Sequence, residues 1–106
     1  WTKIVNVAKK NYDSVILFSA FPKNEKVLYD LLACGDADRF TDNESISALN
    51  KQISEIAIQN KIPFIDLYPE LLNDTFLDTL EDGVHPNGEG HQIIADLAYA
   101  ELQKYL

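Results

Sequence analysis

Asp82 lies three residues before His85 in the run Asp82-Gly83-Val84-His85-Pro86-Asn87-Gly88-Glu89-Gly90-His91. A general base working near neutral pH calls for an imidazole, and a neighbouring carboxylate orients and polarises the ring. Gly83 permits a tight turn, and Pro86 drives His85 toward an extended backbone. The pair is therefore expected on a loop entering a helix rather than along one. No convincing nucleophile accompanies it. His91 extends the set to Asp82, His85 and His91, residue types that suit zinc or iron. Three ligands crowded onto one turn make poor metal geometry, and Pro86 limits adjustment. A local structural role is the expectation for His91. For Asp82 and His85 the bland alternative is a turn-forming acid beside a surface histidine.

The elements that must position this pair read as α-β-α-β-α. Trp1, Ile4, Val5 and Ala8 fall at i, i+3, i+4 and i+7, one face of a helix. Residues 15–18, extended by Ala20 and Phe21 and closed by Pro22, form a short apolar run, as expected of a strand buried on both faces. Val27, Leu28, Leu31 and Leu32 suggest a short amphipathic helix, followed by a polar loop through Asp36, Asp38 and Asp42. Ile46, Leu49, Ile53, Ile56 and Ala57 then recur at helical spacing, with Asp42 or Asn43 as the cap and Asn60-Lys61 as the end. Residues 62–67 read as a second strand. Residues 69–80 are polar and Asp-rich, with at most a helical turn. Asn87 caps a last helix whose buried face is Ile94, Leu97, Ala98 and Leu102. Two strands joined through helices imply parallel pairing with right-handed crossovers. In such folds, sites form at the carboxyl ends of the strands.

Asp82-Gly83-Val84-His85-Pro86, with the Gly- and His-rich helix start after it, resembles the last block of the SGNH hydrolases, also called GDSL-type esterases and lipases. Ser14-Val15-Ile16-Leu17-Phe18-Ser19, ending at Pro22, is similar to that family's fourth strand. Ile62-Pro63-Phe64-Ile65-Asp66-Leu67-Tyr68 is similar to its fifth. The resemblance implies an α/β fold, with residues 1–106 forming the C-terminal portion of a flavodoxin-like three-layer α/β/α domain. It also implies a serine hydrolase that cleaves carboxylic esters through an acyl-enzyme. In that scheme His85 is the general base and then the general acid, and Asp82 orients it. No cofactor or metal is implied. The family's nucleophilic serine, in a Gly-Asp-Ser context, and its oxyanion-hole Gly and Asn have no counterpart here. Gly35-Asp36-Ala37 echoes the first of these blocks but carries Ala where the serine belongs, and reads as coincidence. The half of the domain bearing the nucleophile is therefore expected to be a partner of this chain. Alone, the 106 residues are expected to be catalytically silent.

Composition bounds the rest. A chain of 106 residues is at most one small domain. It begins at Trp1 on a helical face whose start is expected to be missing, as in a truncated, processed or excised piece. Its net charge of −8, with no Lys/Arg cluster, argues against a nucleic-acid phosphate binder. A single cysteine, Cys34, excludes an internal disulfide. No apolar run approaches the ~20 residues of a membrane span, and no signal peptide opens the chain. The compartment stays open.

Among other candidates, Ser19 at the end of the first strand lacks a Gly-x-Ser-x-Gly setting and reads as structural. Cys34 could pair with His85 as a thiolate, but beside a Leu-rich stretch it reads as a small apolar residue. Glu70, Asp74, Asp78 and Glu81 lack calcium-loop grammar and read as a solvated face. Asn43-Glu44-Ser45 and Asn73-Asp74-Thr75 match the glycosylation pattern, which arises often by chance. Phe18, Phe21, Phe64, Tyr68 and Tyr99 are expected in the core. Two rival functions remain: a non-catalytic interaction module, and a carbohydrate O-deacetylase of the same superfamily. The substrate's acyl and alcohol groups are not encoded in this half.

Overall fold

The computed structural model describes residues 1–32 and 42–105; Cys34, Gly35-Asp36-Ala37 and the loop through Asp38 lie outside the described residues. Helix α1 (Thr2–Asn11) leads to strand β1 (Leu17–Phe18), then α2 (Glu25–Leu32) and α3 (Asn43–Gln59). Strand β2 (Phe64–Ile65) follows, then two single-turn helices, α4 (Tyr68–Leu71) and α5 (Asp74–Leu77). Helix α6 (Gly88–Leu102) completes the fold, and a 3₁₀ turn at Gln103–Tyr105 trails it. The strands pair in parallel, Leu17 opposite Phe64 and Phe18 opposite Ile65. A parallel pair needs a crossover, and α2 with α3 provide it.

Successive strand residues face opposite sides of a sheet, so Ile65 and Phe64 look onto different layers. Ile65 belongs to the main core with Leu67, Leu71, Phe76 and Leu80, against which Ile16, Phe18 and the α6 residues Ile94, Leu97, Ala98 and Leu102 pack. Phe64 instead lines a groove with Ser47, Asn50, Lys51 and Ser54 of α3. The two layers flanking the sheet are thus α6 on one side and α3 on the other. Helix boundaries follow the capping chemistry. Asp42, rather than Asn43, caps α3 by accepting the Ser45 N–H at 2.8 Å, and Asn87 caps α6 through the Gly90 N–H at 3.0 Å. At the far end of α3, Lys61 takes φ +57°. Its N–H bonds Ile58 O at 3.2 Å, and the Ile62 N–H bonds Ala57 O at 3.0 Å. This is a Schellman ending with lysine where glycine is usual.

Expectations for the strands' length and burial, for residues 69–80, for the α1 face and for Tyr99 need correction. Each strand is only two residues long, and residues 15–18 are half-buried rather than enclosed. Among the described residues β2 is the only strand beside β1, so the far side of β1 has no sheet neighbour. The segment 69–80 is not simply polar: its acids face solvent while Leu71, Phe76 and Leu80 are among the most deeply buried side chains. Two short helices turn Leu71 and Phe76 inward and Leu80 follows in the bridge to Pro86, a pattern no single period reveals. Of the α1 face only Val5 is buried, while Trp1 and Ile4 stay exposed. Tyr99 is likewise 65% exposed, because it projects from the side of α6 away from Leu97 and Ala98.

Candidate active site

The turn at residues 82–85 is folded by one carboxylate. Asp82 Oδ1 accepts the backbone N–H of Val84 at 2.8 Å and that of His85 at 2.7 Å. Asp side chains close turns in this way by bonding their own backbone a few residues on. Oδ2, the other oxygen, stands 2.6 Å from Nδ1 of His85. Folding the turn and orienting the ring are therefore separate tasks of two oxygens on the same residue. The backbone N–H of His85, then its imidazole, then the backbone N–H of Val84 hold the Asp82 carboxyl down to a pKa of about 2. The acid is a carboxylate near neutral pH, so it takes the Nδ1–H and leaves Nε2 as the ring's lone pair.

Gly83 sits at φ +86°, which glycine adopts without a Cβ clash. A side chain there would also meet Leu28 Cγ at 2.8 Å. The base of the turn is drawn together by a Leu80–Pro86 bridge and by the Asn87 N–H bonding Thr79 O at 3.0 Å. Gly90 lets α6 start against this base, for a Cβ there would lie 2.6 Å from Pro86 Cβ.

The turn stands at the carboxyl ends of the strands. Just past β1, the Asn24 N–H donates to Gly83 O at 3.0 Å. Just past β2, the Leu67 N–H donates to Ser19 Oγ at 2.9 Å. Ser19 is buried and its oxygen is occupied, in keeping with a structural role. His85 and Asp82 are open to solvent, with side chains 80% and 53% exposed. A cleft of about 550 Å³ lies at the opposite, amino ends of the strands, lined by Lys9, Tyr12, Ser14, Pro63 and Tyr105. It is remote from the pair, and chemistry rather than concavity marks the candidate site.

His91 is exposed on the first turn of α6. Among the described residues no group of three or more His, Cys, Asp or Glu could share a metal ion. No helix of the described residues is long and apolar enough to cross a membrane. The Asn43 amide nitrogen, which glycosylation would occupy, donates to Lys23 O at 2.9 Å, and that of Asn73 donates to Glu70 O at 2.6 Å.

Sequence reasoning missed a set of asparagines behind the turn. Asn50 Oδ1 accepts the Ala20 N–H at 2.7 Å while its Nδ2 donates to Ala20 O at 3.1 Å. Asn43 does the same to Lys23, at 2.7 and 2.9 Å. Asn24 Nδ2 donates to Leu77 O at 3.0 Å. One signal was available: Asn50 shares the buried helical stripe of Ile46, Ile53 and Ala57, where a polar residue must find partners.

The GDSL-like lipase/acylhydrolase family model matches residues 2–93. Among solved structures, a protein assigned as an acylhydrolase from Bacteroides fragilis NCTC 9343 is 27% identical with a TM-score of 0.69, over 97% of this chain and 48% of that one. A GDSL-like lipase from Bacteroides thetaiotaomicron VPI-5482 is 28% identical with a TM-score of 0.62, over 98% of this chain and 49% of that one. No curated protein matches. The chain spans about half the length of these solved relatives. On the family match and the shared fold, it belongs to the GDSL-like lipase/acylhydrolase family.

Proposed function

We propose that this chain is the C-terminal half of a single SGNH-type domain and supplies the Asp–His pair of a serine ester hydrolase. The observation that carries the reading is the 2.6 Å contact between Asp82 Oδ2 and His85 Nδ1 on a solvent-open ring. A serine outside these residues attacks the ester carbonyl, and Nε2 of His85 takes its proton. The imidazolium returns that proton to the leaving alkoxide, releasing the alcohol and leaving an acyl-serine. Water, deprotonated by the same Nε2, adds to the acyl carbonyl, and collapse frees the carboxylic acid and restores the serine. Asp82 stays ionised throughout, and the oxyanion donors come from outside the chain. The exposed Trp1 and Ile4 of α1, and the side of β1 that has no sheet neighbour among the described residues, support a neighbouring half that packs there.

A fluorophosphonate probe tests this on the full-length protein, read by intact mass and peptide mapping. One adduct on a serine outside this stretch, lost in His85→Ala, is expected. No adduct on the folded full-length protein would overturn the reading in favour of an interaction module. An adduct within the chain, with Ser19 the first suspect, would mean the nucleophile is misplaced.

A further inference from the structure

The Asp82–His85 turn is exposed, and most of its hydrogen bonds are local. Oδ1 of Asp82 bonds its own successors, and Gly83 N–H bonds Leu80 O at 2.9 Å. Among the described residues, the long-range backbone hydrogen bond to the tip of the turn is the one from Asn24 N–H to Gly83 O. The same residue's side chain reaches the end of α5, donating from Nδ2 to Leu77 O at 3.0 Å. Its Oδ1 accepts the Val27 N–H at a long 3.4 Å, in the manner of a cap on α2. Asn24 thus bonds the turn through its backbone and the helix leading into it through its side chain, while closing α2.

What it grips from is itself held firmly. Residues 20–24 have no ladder partner, yet Asn50 engages both backbone groups of Ala20 and Asn43 both of Lys23. Asn43 is in turn fixed by Glu25 Oε1, which accepts its N–H at 2.8 Å, and by Tyr68, whose hydroxyl donates to its carbonyl at 3.3 Å. An irregular segment secured by amides at both ends makes a stiff rail, since each clasp replaces water at backbone groups that would otherwise move freely. Leu28 closes the contact by packing where Gly83 has no side chain.

We propose that Asn24 is a positioning residue for the Asp82–His85 pair: its side-chain amide ties the end of α5, which leads into the turn, to the segment that follows β1, and so keeps its backbone N–H in register with Gly83 O. The consequence for catalysis rests on the ester-hydrolase reading above; the geometric claim does not. Cap and strap use different atoms of Asn24, which makes them separable. Asn24→Ser keeps an acceptor for the α2 cap but is too short to donate to Leu77 O while capping. Asn24→Ala removes both.

The test uses the full-length protein, with p-nitrophenyl acetate as substrate and the His85 Nδ1–H proton resonance as a second readout. Asn24→Ser is expected to keep its melting temperature near that of the parent. It should lower kcat roughly 10- to 100-fold with KM within about twofold, the scale of a misplacement near 1 Å. The Nδ1–H resonance should shift and broaden. Asn24→Ala should show the same kinetic loss on a less stable protein. If Asn24→Ser leaves kcat and the resonance unchanged, or only Asn24→Ala loses activity and in step with its stability, Asn24 is merely a cap and the proposal falls. A parent protein inert to the ester would sink the hydrolase reading instead, and the resonance would then decide the strap alone.

Discussion

Two glycines at the start of α6 should respond to the same substitution with opposite signs. Gly88 has nothing within 4 Å of a notional Cβ, whereas at Gly90 that atom would stand 2.6 Å from Pro86 Cβ and 2.9 Å from Thr79 Cβ. Carbon atoms settle at about 3.5–4.0 Å, so roughly 1 Å of movement is required. Neither neighbour yields readily. Pro86 is a ring in the bridge with Leu80, and buried Thr79 donates its hydroxyl to Phe76 O at 2.6 Å. Overpacking of this kind costs about 1–3 kcal/mol. Replacing a helical glycine by alanine returns about 0.4–1 kcal/mol through the unfolded chain. Gly90→Ala should therefore be destabilised by about 1–2 kcal/mol, and Gly88→Ala stabilised by about 0.4–1 kcal/mol. For a domain of this size the first loss corresponds to a fall on the order of 5–15 °C in Tm. Thermal unfolding followed by far-ultraviolet circular dichroism reads both. Gly90→Ala should also slow fluorophosphonate labelling of the full-length protein, because Pro86 adjoins His85. A Gly90→Ala variant as stable as the parent, or a Gly88→Ala variant that loses as much, would refute the idea that α6 is seated on the turn through this contact.

On the ester-hydrolase reading, Asp82→Asn should fold normally yet lose activity in the full-length protein. Oδ1 still closes the turn, but an amide N–H facing Nδ1 forces the proton onto Nε2. The equivalent change in a serine protease costs about 10⁴ in kcat, so a loss below about tenfold would contradict the assigned tautomer. The Asp82 pKa of about 2, below the unfolded value of 3.8, makes its contribution to stability fully present above pH 4 and lost as pH falls toward 2. Half exposure keeps that contribution under about 1 kcal/mol, and a carboxyl ¹³C titration near pH 4 would disprove the bonding seen at Oδ1 and Oδ2. Lys61→Gly should stabilise the protein by about 1 kcal/mol by relieving the positive φ at the end of α3, read as a raised urea midpoint. Asn50→Ala should destabilise by about 2–4 kcal/mol, since it orphans the N–H and carbonyl of Ala20; urea unfolding with a change under about 1 kcal/mol would show that water replaces the clasp.

Much of the site was legible because its logic is local. Asp82, Gly83, His85 and Pro86 lie within one turn, and the distances among them follow from Asx-turn geometry, glycine's freedom and the restriction before proline. Asn87 announced one helix start by residue type alone and Asp42-Asn43 another, with the choice between the two left to the structure, and the Ile94–Leu102 stripe announced the core-facing side of α6. The reach of Asn24 to Leu77 and Gly83, across more than fifty residues of sequence, has no local signature. Leu71, Phe76 and Leu80 were hidden for a related reason: they sit among acids, the first two on one-turn helices too short to show a period and the third in the bridge to Pro86, and only packing against Ile65 and α6 explains their burial. Short-range chemistry is written in residue type and spacing. Which distant segments meet is decided by the burial of apolar surface and by the partners that each enclosed amide must find, and only the folded chain contains both.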